Sequence, residues 1–577
     1  MGNKNRAHTL DTRKKDRRKV IKTVIQLTVL LVVGYILFHA LVDVEKYKEP
    51  ERTEWASDKG FVALSYFGVS RSGTPKLISK RELNKHLKAL KDQGFVAISQ
   101  QDVLDYYQEG KKLPDKALFL SFEDGRNDSA LFSQPLLEKY NFKATFLSYA
   151  NKMGNGDRKF LQPKDMKKMT KNGYWELGSN GYRLTYINVF DSEGNFIGMK
   201  DENELRNKMK IDYYNHYLMD FLRDGDMIPT ETRSEMEARI SEDYRLMEEI
   251  YTDQLGFVPN VYMIMHANAL GAGMNRLVTE ANNTEIQRIF KMHFNRDGIS
   301  FNGKDEDLFD LTRVQPAPYW YTNHLLMKIA KDTGQEMKFL TGDAKRAKNW
   351  TLVNGAAEFI DNRIALTSQP AAPGTLLLNG SENYQDVEFE ATLAGNVVGR
   401  QSIYVRYDRE RNSFVRISLD NNQVTIEQKR AGQEIEKLVQ LDLDEIDWKE
   451  TDLALNKATV YSKVQTSKID LTEETRYPVN IAQKRKVFVT LRGNDLHVAI
   501  DDVQTLDSAI DGEISSGSIA LESEYNVQNE RDDIYDGVFD DVQIKGLYSN
   551  RFSGLDKWFK EIERSMDATL DWVIETF

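Results

Sequence analysis

The sequence predicts two folded halves of different class, an α/β half followed by an all-β sandwich, behind a single N-terminal transmembrane helix. Three observations carry this. An uncharged stretch of bilayer length lies near the N-terminus, apolar runs alternate with helical periods from Phe61 to about Lys331, and period-two alternation with turn signals runs from about Leu352 to Leu547. With 577 residues, 40% hydrophobic content and only 12 prolines, the chain has material for several cores. It has no cysteine, which removes disulfides, thiolate metal sites and cysteine nucleophiles.

The first element is Thr23–Val42, without a formal charge and about 30 Å long as a helix. Residues 1–22 hold nine Lys/Arg against two Asp, while Asp43 and Glu45 follow the span. The positive-inside rule therefore places 1–22 in the cytoplasm, 23–42 across the plasma membrane and the bulk of the chain outside the cytoplasm. The competing reading, a cleaved signal peptide, calls for a shorter apolar core ending in small residues. Taking the tail from the totals of 78 basic and 89 acidic residues leaves 69 and 87, or −18. That excess argues against nucleic acid as a partner.

Beyond a juxtamembrane linker at 43–60, strands are predicted at Phe61–Phe67, Val96–Ile98, Ala117–Phe122, Ala144–Tyr149 and Tyr174–Leu177. Helices fall between them near Lys80–Gln93, Gln101–Gln108, Leu131–Tyr140 and Pro163–Asn172, with Pro163 at a first helical position and Gly173 at a helix end. A helical insertion is expected over about 187–255, with a capping box from Thr232 to Glu235. This α/β domain spans 61–332, and the polar residues 333–350 read as a linker. The sandwich, 351–548, is read from VEFEATL, SIYVRYD, SFVRISLD, QVTIEQK, KVFVTLRG, DLHVAIDD, SIALESE and VFDDVQIKG. An amphipathic helix closes the chain at 551–577, its polar face slightly acidic, which favours docking on protein over anionic lipid.

The chemistry-bearing stretch is Ser121-Phe122-Glu123-Asp124-Gly125, where a strand ends in two adjacent carboxylates. At the carboxyl edge of a β/α sheet one carboxylate can hold a metal while its neighbour acts as base. A plain Asp-Gly turn with a solvated Glu123 is the other reading of these five residues. The wider run LFLSFEDGRNDSALFSQPLLEKYNFKATFLSYANK, followed by KKMTKNGYWELGSN, resembles the polysaccharide deacetylase family, the NodB-homology domain of carbohydrate esterase family 4. In that family a strand ends in T-F-D-D-G, a helix carries a pllkky run, and kATfF and G-x-E-I-G-S-H-T-x-x-H follow. The resemblance covers about 61–330, most tightly 117–184, and implies a distorted (β/α) barrel of deacetylase type.

The resemblance also implies metal-assisted removal of acetyl groups from an N-acetylated hexosamine polymer. Glu123 then falls on the base position and Asp124 on a Zn-ligand position, but Asn180 and Leu184 fall on the two ligand histidines. A catalytic zinc needs about three protein ligands, and only Asp124 of that set survives. His266, at the end of the VYMIMH run, is the candidate general acid, with His324 a second possibility. No pair of histidines lies at metal-ligand spacing.

The expectation is a domain that keeps the barrel and polymer groove without metal or hydrolysis, with Tyr182, Arg183, Tyr319, Trp320 and Tyr321 as candidate glycan contacts. The sandwich looks like a concanavalin-type or laminin-G-like jelly roll. In it Asp540 and Asp541 are either calcium ligands or an exposed acidic turn, and Tyr404, Tyr407 and Phe414 either a core face or a sugar platform. The whole then reads as a membrane-anchored accessory of exopolysaccharide or cell-wall glycan synthesis, binding polymer and a membrane glycosyltransferase or synthase. The alternative is an active deacetylase with an atypical metal site.

Overall fold

The computed structural model describes residues 12–42, 46–74, 76–191, 193–205, 211–264, 274–295, 298–395, 399–420, 423–443, 484–525 and 533–546. His266 and the expected closing helix at 551–577 lie outside the described residues. A 31-residue helix, Thr12–Val42, includes the expected span. The side chains of 35–42 lie outside those described, and among the described residues no helix is long and apolar enough to cross a membrane.

Strands Phe61–Tyr66, Ala117–Phe122, Ala144–Tyr149, Trp175–Gly181, Val261–Tyr262, Met292–Asn295 and Leu311–Thr312 pair in that order, all in parallel. The sheet closes on itself through Val314, whose C=O accepts from Ser65 N–H (2.9 Å) and whose N–H donates to Ala63 (3.1 Å). The first three of these strands are buried at all six positions, as a parallel sheet covered on both faces requires. Phe61, Ala63, Phe119, Met263, Phe294 and Leu311 share one core, while Val62, Leu64, Leu118 and Leu120 share the other with the surrounding helices.

Helix Lys80–Asp92 starts where Ser79 Oγ accepts the Glu82 N–H, and Gln100–Glu109 starts in a capping box between Ser99 and Asp102. Pro163 opens helix Pro163–Met169, and Gly173, at φ +83°, stops the 3₁₀ turn that follows it.

The insertion differs from the expected helical one. Its first part is a three-stranded antiparallel sheet, Thr185–Asp191 paired with Phe196–Asp201 on one side and Ile211–His216 on the other. The predicted capping box from Thr232 to Glu235 then opens helix Arg233–Leu255. The strands were hidden because register shifts interrupt both pairings and Asn188 sits at φ +56°, which breaks the period-two pattern.

The second half is a sandwich of two seven-stranded sheets, and all eight predicted strands are present. One sheet runs Trp350–Asn354, Gly374–Leu378, Ser518–Tyr525, Gly399–Asp408, Ser413–Asp420, Gln423–Lys429, Glu436–Asp442. The other runs Ala356–Ile360, Arg363–Thr367, Asp536–Gly546, Val387–Gly395, Arg485–Arg492, Asp495–Ile500, Gln504–Ala509. Ile403, Val405, Val415, Ile417, Phe389 and Val489 are among the residues filling the space between them. The barrel meets the sandwich at helix Thr322–Thr333, where Met327 packs with Ala356 and Ile534.

Candidate functional site

Parallel pairing brings the ends of strands Ala117–Phe122, Ala144–Tyr149 and Trp175–Gly181 to one edge of the barrel, and the sequence-predicted quartet meets there. Glu123 is fully buried, and its Oε1 accepts from Arg313 Nε at 2.8 Å; Arg313 is itself 1% exposed. The same guanidinium donates to the carbonyls of Phe294 (2.9 Å) and Ile264 (3.3 Å), which fixes its plane against the barrel wall. The solvated Glu123 of the plain-turn reading is thus overturned: burying a carboxylate is tolerable because an opposing charge is buried with it.

Asp124 adopts φ +66°, a left-handed backbone that Asp tolerates better than most residues. Its N–H donates to Asn180 Oδ1 at 3.0 Å, and Asn180 Nδ2 donates to the Met263 carbonyl at 2.8 Å. Both ends of that amide are therefore spent on backbone. Asp124 Oδ2 lies 3.5 Å from Arg126 Nη1. Burial, helped by the nearby Glu202 charge, pushes the Asp124 carboxyl up to about 6, against the pull of Arg126 and Lys159. Leu184 is buried against Tyr149 and Phe67.

The inserted sheet supplies Tyr186, fully buried, and the turn beyond its second strand supplies Glu202, whose N–H donates to the Leu184 carbonyl. Glu123, Asp124, Asn180, Leu184 and Tyr149 are all 6% exposed or less, so this edge is closed over.

These residues do not fit a zinc centre of the implied kind. Asn180 Oδ1 already accepts the Asp124 N–H and is a weaker ligand than the imidazole it replaces, Leu184 has no ligand atom, and Arg126 stands beside Asp124. Among the described residues no group of three His, Asp or Glu side chains is placed to hold a metal ion.

The other candidates separate. Arg183 lies over the rings of Tyr182 and Tyr217 and pairs with Asp243 (3.2 Å), so it remains at the barrel edge, partly exposed. Trp320 is 8% exposed and stacks on His324 at 4.2 Å, while the Tyr321 N–H donates to Asp536 of the sandwich. Trp320 and Tyr321 are therefore placed at the domain junction, not in a groove; Tyr319 packs on the barrel core beside them. His324 is buried with Nδ1 2.9 Å from Asp536 Oδ2, a structural contact in place of a general acid. Asp540 pairs with Lys484 (3.6 Å) and Asp541 accepts from Asn362 Nδ2 (2.6 Å). Tyr404 and Phe414 form their own cluster with Tyr407, apart from the sandwich core.

Arg313 is the residue that sequence reasoning missed. The local sequence, Asp310-Leu311-Thr312-Arg313-Val314, carries no signal that singles it out.

Residues 110–257 match the polysaccharide deacetylase family. The chain is 28% identical over 135 residues to the "Putative polysaccharide deacetylase YxkH" of Bacillus subtilis (strain 168), an alignment covering 23% of this chain and 47% of that protein. It is 21% identical over 185 residues to the poly-β-1,6-N-acetyl-D-glucosamine N-deacetylase of Staphylococcus aureus (strain N315), covering 29% and 63%. The chain thus spans less than two thirds of either relative. Among solved structures, a de-N-acetylase from Aggregatibacter actinomycetemcomitans overlaps 46% of this chain and 98% of its own at TM-score 0.36 and 17% identity. The carbohydrate binding module CBM66 of Bacillus subtilis overlaps 34% of this chain and 96% of its own at TM-score 0.24 and 14% identity. Through the matched segment, the chain carries a domain of the polysaccharide deacetylase (NodB) family.

Proposed function

We propose that this chain is a membrane-anchored accessory of exopolysaccharide or cell-wall glycan synthesis, whose deacetylase-type domain handles polymer without hydrolysing its amides. The observation that carries this is the double commitment of Asn180. With its carbonyl on Asp124 and its amide on Met263, and with Leu184 packed on Tyr149, the ion-holding set is reduced to Asp124. The polymer class, an N-acetylated hexosamine glycan, comes from the activity named for the Staphylococcus aureus relative. Arg183 on its two tyrosines supplies a partly exposed edge contact for such a chain, and the sandwich a second, lectin-like one. The N-terminal helix is about 46 Å long and carries the basic flank, which supports a cytoplasmic N-terminus and an extracytoplasmic bulk beside a membrane synthase.

The test is elemental analysis of the full chain purified in detergent, with acetate release from poly-β-1,6-N-acetylglucosamine and chitin oligomers. The expected result is no stoichiometric zinc and no acetate above a heat-killed control. One bound ion per chain, with acetate release that Glu123→Gln abolishes, would establish the alternative of an active deacetylase with atypical ligands.

A further inference from the structure

Residues 46–60, which lead from the N-terminal helix into the first barrel strand, lie docked along the N-terminal face of the barrel, the end opposite Asp124. Chain direction defines that face. Strands Trp175–Gly181, Ala144–Tyr149, Ala117–Phe122 and Phe61–Tyr66 are parallel neighbours. The residues just before each therefore gather at one end, and Glu123 and Asp124, just after Phe122, stand at the other. The segment passes beneath the first three of these strands and enters the fourth.

Beneath the first, the Tyr47 N–H donates to the Asn172 carbonyl at 2.8 Å, and its ring meets Tyr174 edge-on with centroids 5.4 Å apart. Beneath the second, Asn141 brackets Lys48: its Oδ1 accepts the Lys48 N–H at 3.1 Å and its Nδ2 donates to the Lys48 carbonyl at 2.8 Å. Lys143 lies over the Tyr47 ring at 4.5 Å and pairs with Glu49 at 2.8 Å. Arg52 then bridges Glu49 (2.9 Å) to Asp102 (2.7 Å), the residue that closes the capping box of helix Gln100–Glu109. Beneath the third strand, Trp55 packs on the barrel core, and Ser57 and Leu113 exchange both backbone hydrogen bonds, at 3.0 and 2.8 Å. The Asp58 carbonyl accepts from Tyr106 Oη at 2.7 Å, just ahead of Phe61. Exposed ion pairs are weak singly. Here they act together with backbone hydrogen bonds and two buried rings, so the segment is a strap that must let go as a unit.

The strap sits close to the helix end. Only residues 43–45 separate Val42 from Lys46, a connection that spans at most about 14 Å. A six-residue strand rises about 20 Å, or about 16 Å along the axis of a barrel tilted as this fold class is. Headgroups extend about 6 Å beyond the hydrocarbon. Bringing the Asp124 edge down to the headgroups would lift the strap about 22 Å from the helix end, which is further than the connection reaches. Resting on the membrane anchor of the proposed function, we infer that the strap holds the barrel with its N-terminal face toward the bilayer and the Asp124 edge away from it. That edge then meets polymer already clear of the membrane, not a lipid-linked saccharide at its surface.

Because the chain has no cysteine, a single introduced cysteine reports one position. Asp305 lies on the loop ahead of strand Leu311–Thr312, at the N-terminal face, and Arg158 on the loop beyond Ala144–Tyr149, at the Asp124 edge; both are exposed. The test uses the full chain in vesicles containing a nickel-chelating lipid, with a fluorophore on Asp305→Cys or on Arg158→Cys. Nickel is expected to quench the label at 305, reversibly with a chelator, and to spare the label at 158. A flexible insert of about twenty Gly/Ser residues after Glu45 should narrow that difference. A benzophenone on Arg158→Cys is expected to capture an added β-1,6-N-acetylglucosamine pentamer and to leave polyprenyl-diphosphate-linked N-acetylglucosamine in the bilayer untouched. Equal or reversed quenching in chains that float with the vesicles, or capture of the lipid-linked sugar, would overturn the inference and leave the anchor standing. Chains that do not float with the vesicles would overturn the anchor, and the inference with it.

Discussion

Asp124 combines a left-handed backbone, near-complete burial and a raised carboxyl, with Asn180 holding the backbone in place. A carboxyl whose folded value, about 6, exceeds its unfolded value near 4 stabilises the fold below about pH 4 and loses that contribution as pH rises through about 6. Asp124→Asn removes the charge while keeping a residue that accepts φ > 0. Its stability relative to wild type should therefore climb from pH 4 to pH 7, read by urea unfolding at each pH. The variant comparison is needed because the buried imidazoles of His86 and His216, lowered to about 4, act in the opposite sense over the same range. The quartet Glu123, Asp124, Asn180 and Leu184 was legible because its members fall on two short stretches, 121–125 and 178–184, that the family resemblance aligns. Arg313 was not, since 190 residues separate it from Glu123 and only closure of the barrel brings them together.

At the scale of elements, legibility followed regularity. Eight of the fourteen sandwich strands were predicted, among them Val387–Gly395, in which buried and half-buried residues alternate; Trp350–Asn354, which lacks that alternation, was not. The inserted sheet, broken by shifts and by Asn188, was not. A bulge at Arg406 (φ +50°), which brings Tyr404 and Tyr407 of strand Gly399–Asp408 to one face, shows the same limit, because it is set by tertiary anchoring. Arg406 is 2% exposed and donates to the carbonyls of Gln385 (2.7 Å), Ile514 (2.8 Å) and Gly493 (2.6 Å), tying the bulge to three separate loops. Arg406→Ala would leave those acceptors without their donor. A loss of about 3 kcal/mol or more is expected by denaturant titration, accompanied by changed near-ultraviolet circular dichroism as Tyr407 turns away.

Across the whole molecule, one side chain joins the halves. Asp536 Oδ2 receives the Tyr321 N–H and His324 Nδ1, while Oδ1 receives Thr367 Oγ1 at 2.7 Å. Lys331–Asp533 adds an ion pair at the rim. Removing a buried carboxylate with three partners is costly. Asp536→Ala should lower stability by about 3 kcal/mol and split a shared calorimetric transition into two, one per half. An unaltered single transition would mean that the apolar contact through Met327 and Ile534 suffices.

The strand that begins at Asp536 sits in the middle of its sheet, between Arg363–Thr367 and Val387–Gly395, and Ser518–Tyr525 is likewise interior to the other. The ribosome therefore delivers the keystones last. Until residue 525 has emerged one sheet, and until residue 546 the other, is split into two parts with raw edges. A barrel built from the preceding residues can be complete while its neighbour is still waiting, so stalled or clipped products would be sticky at one end only.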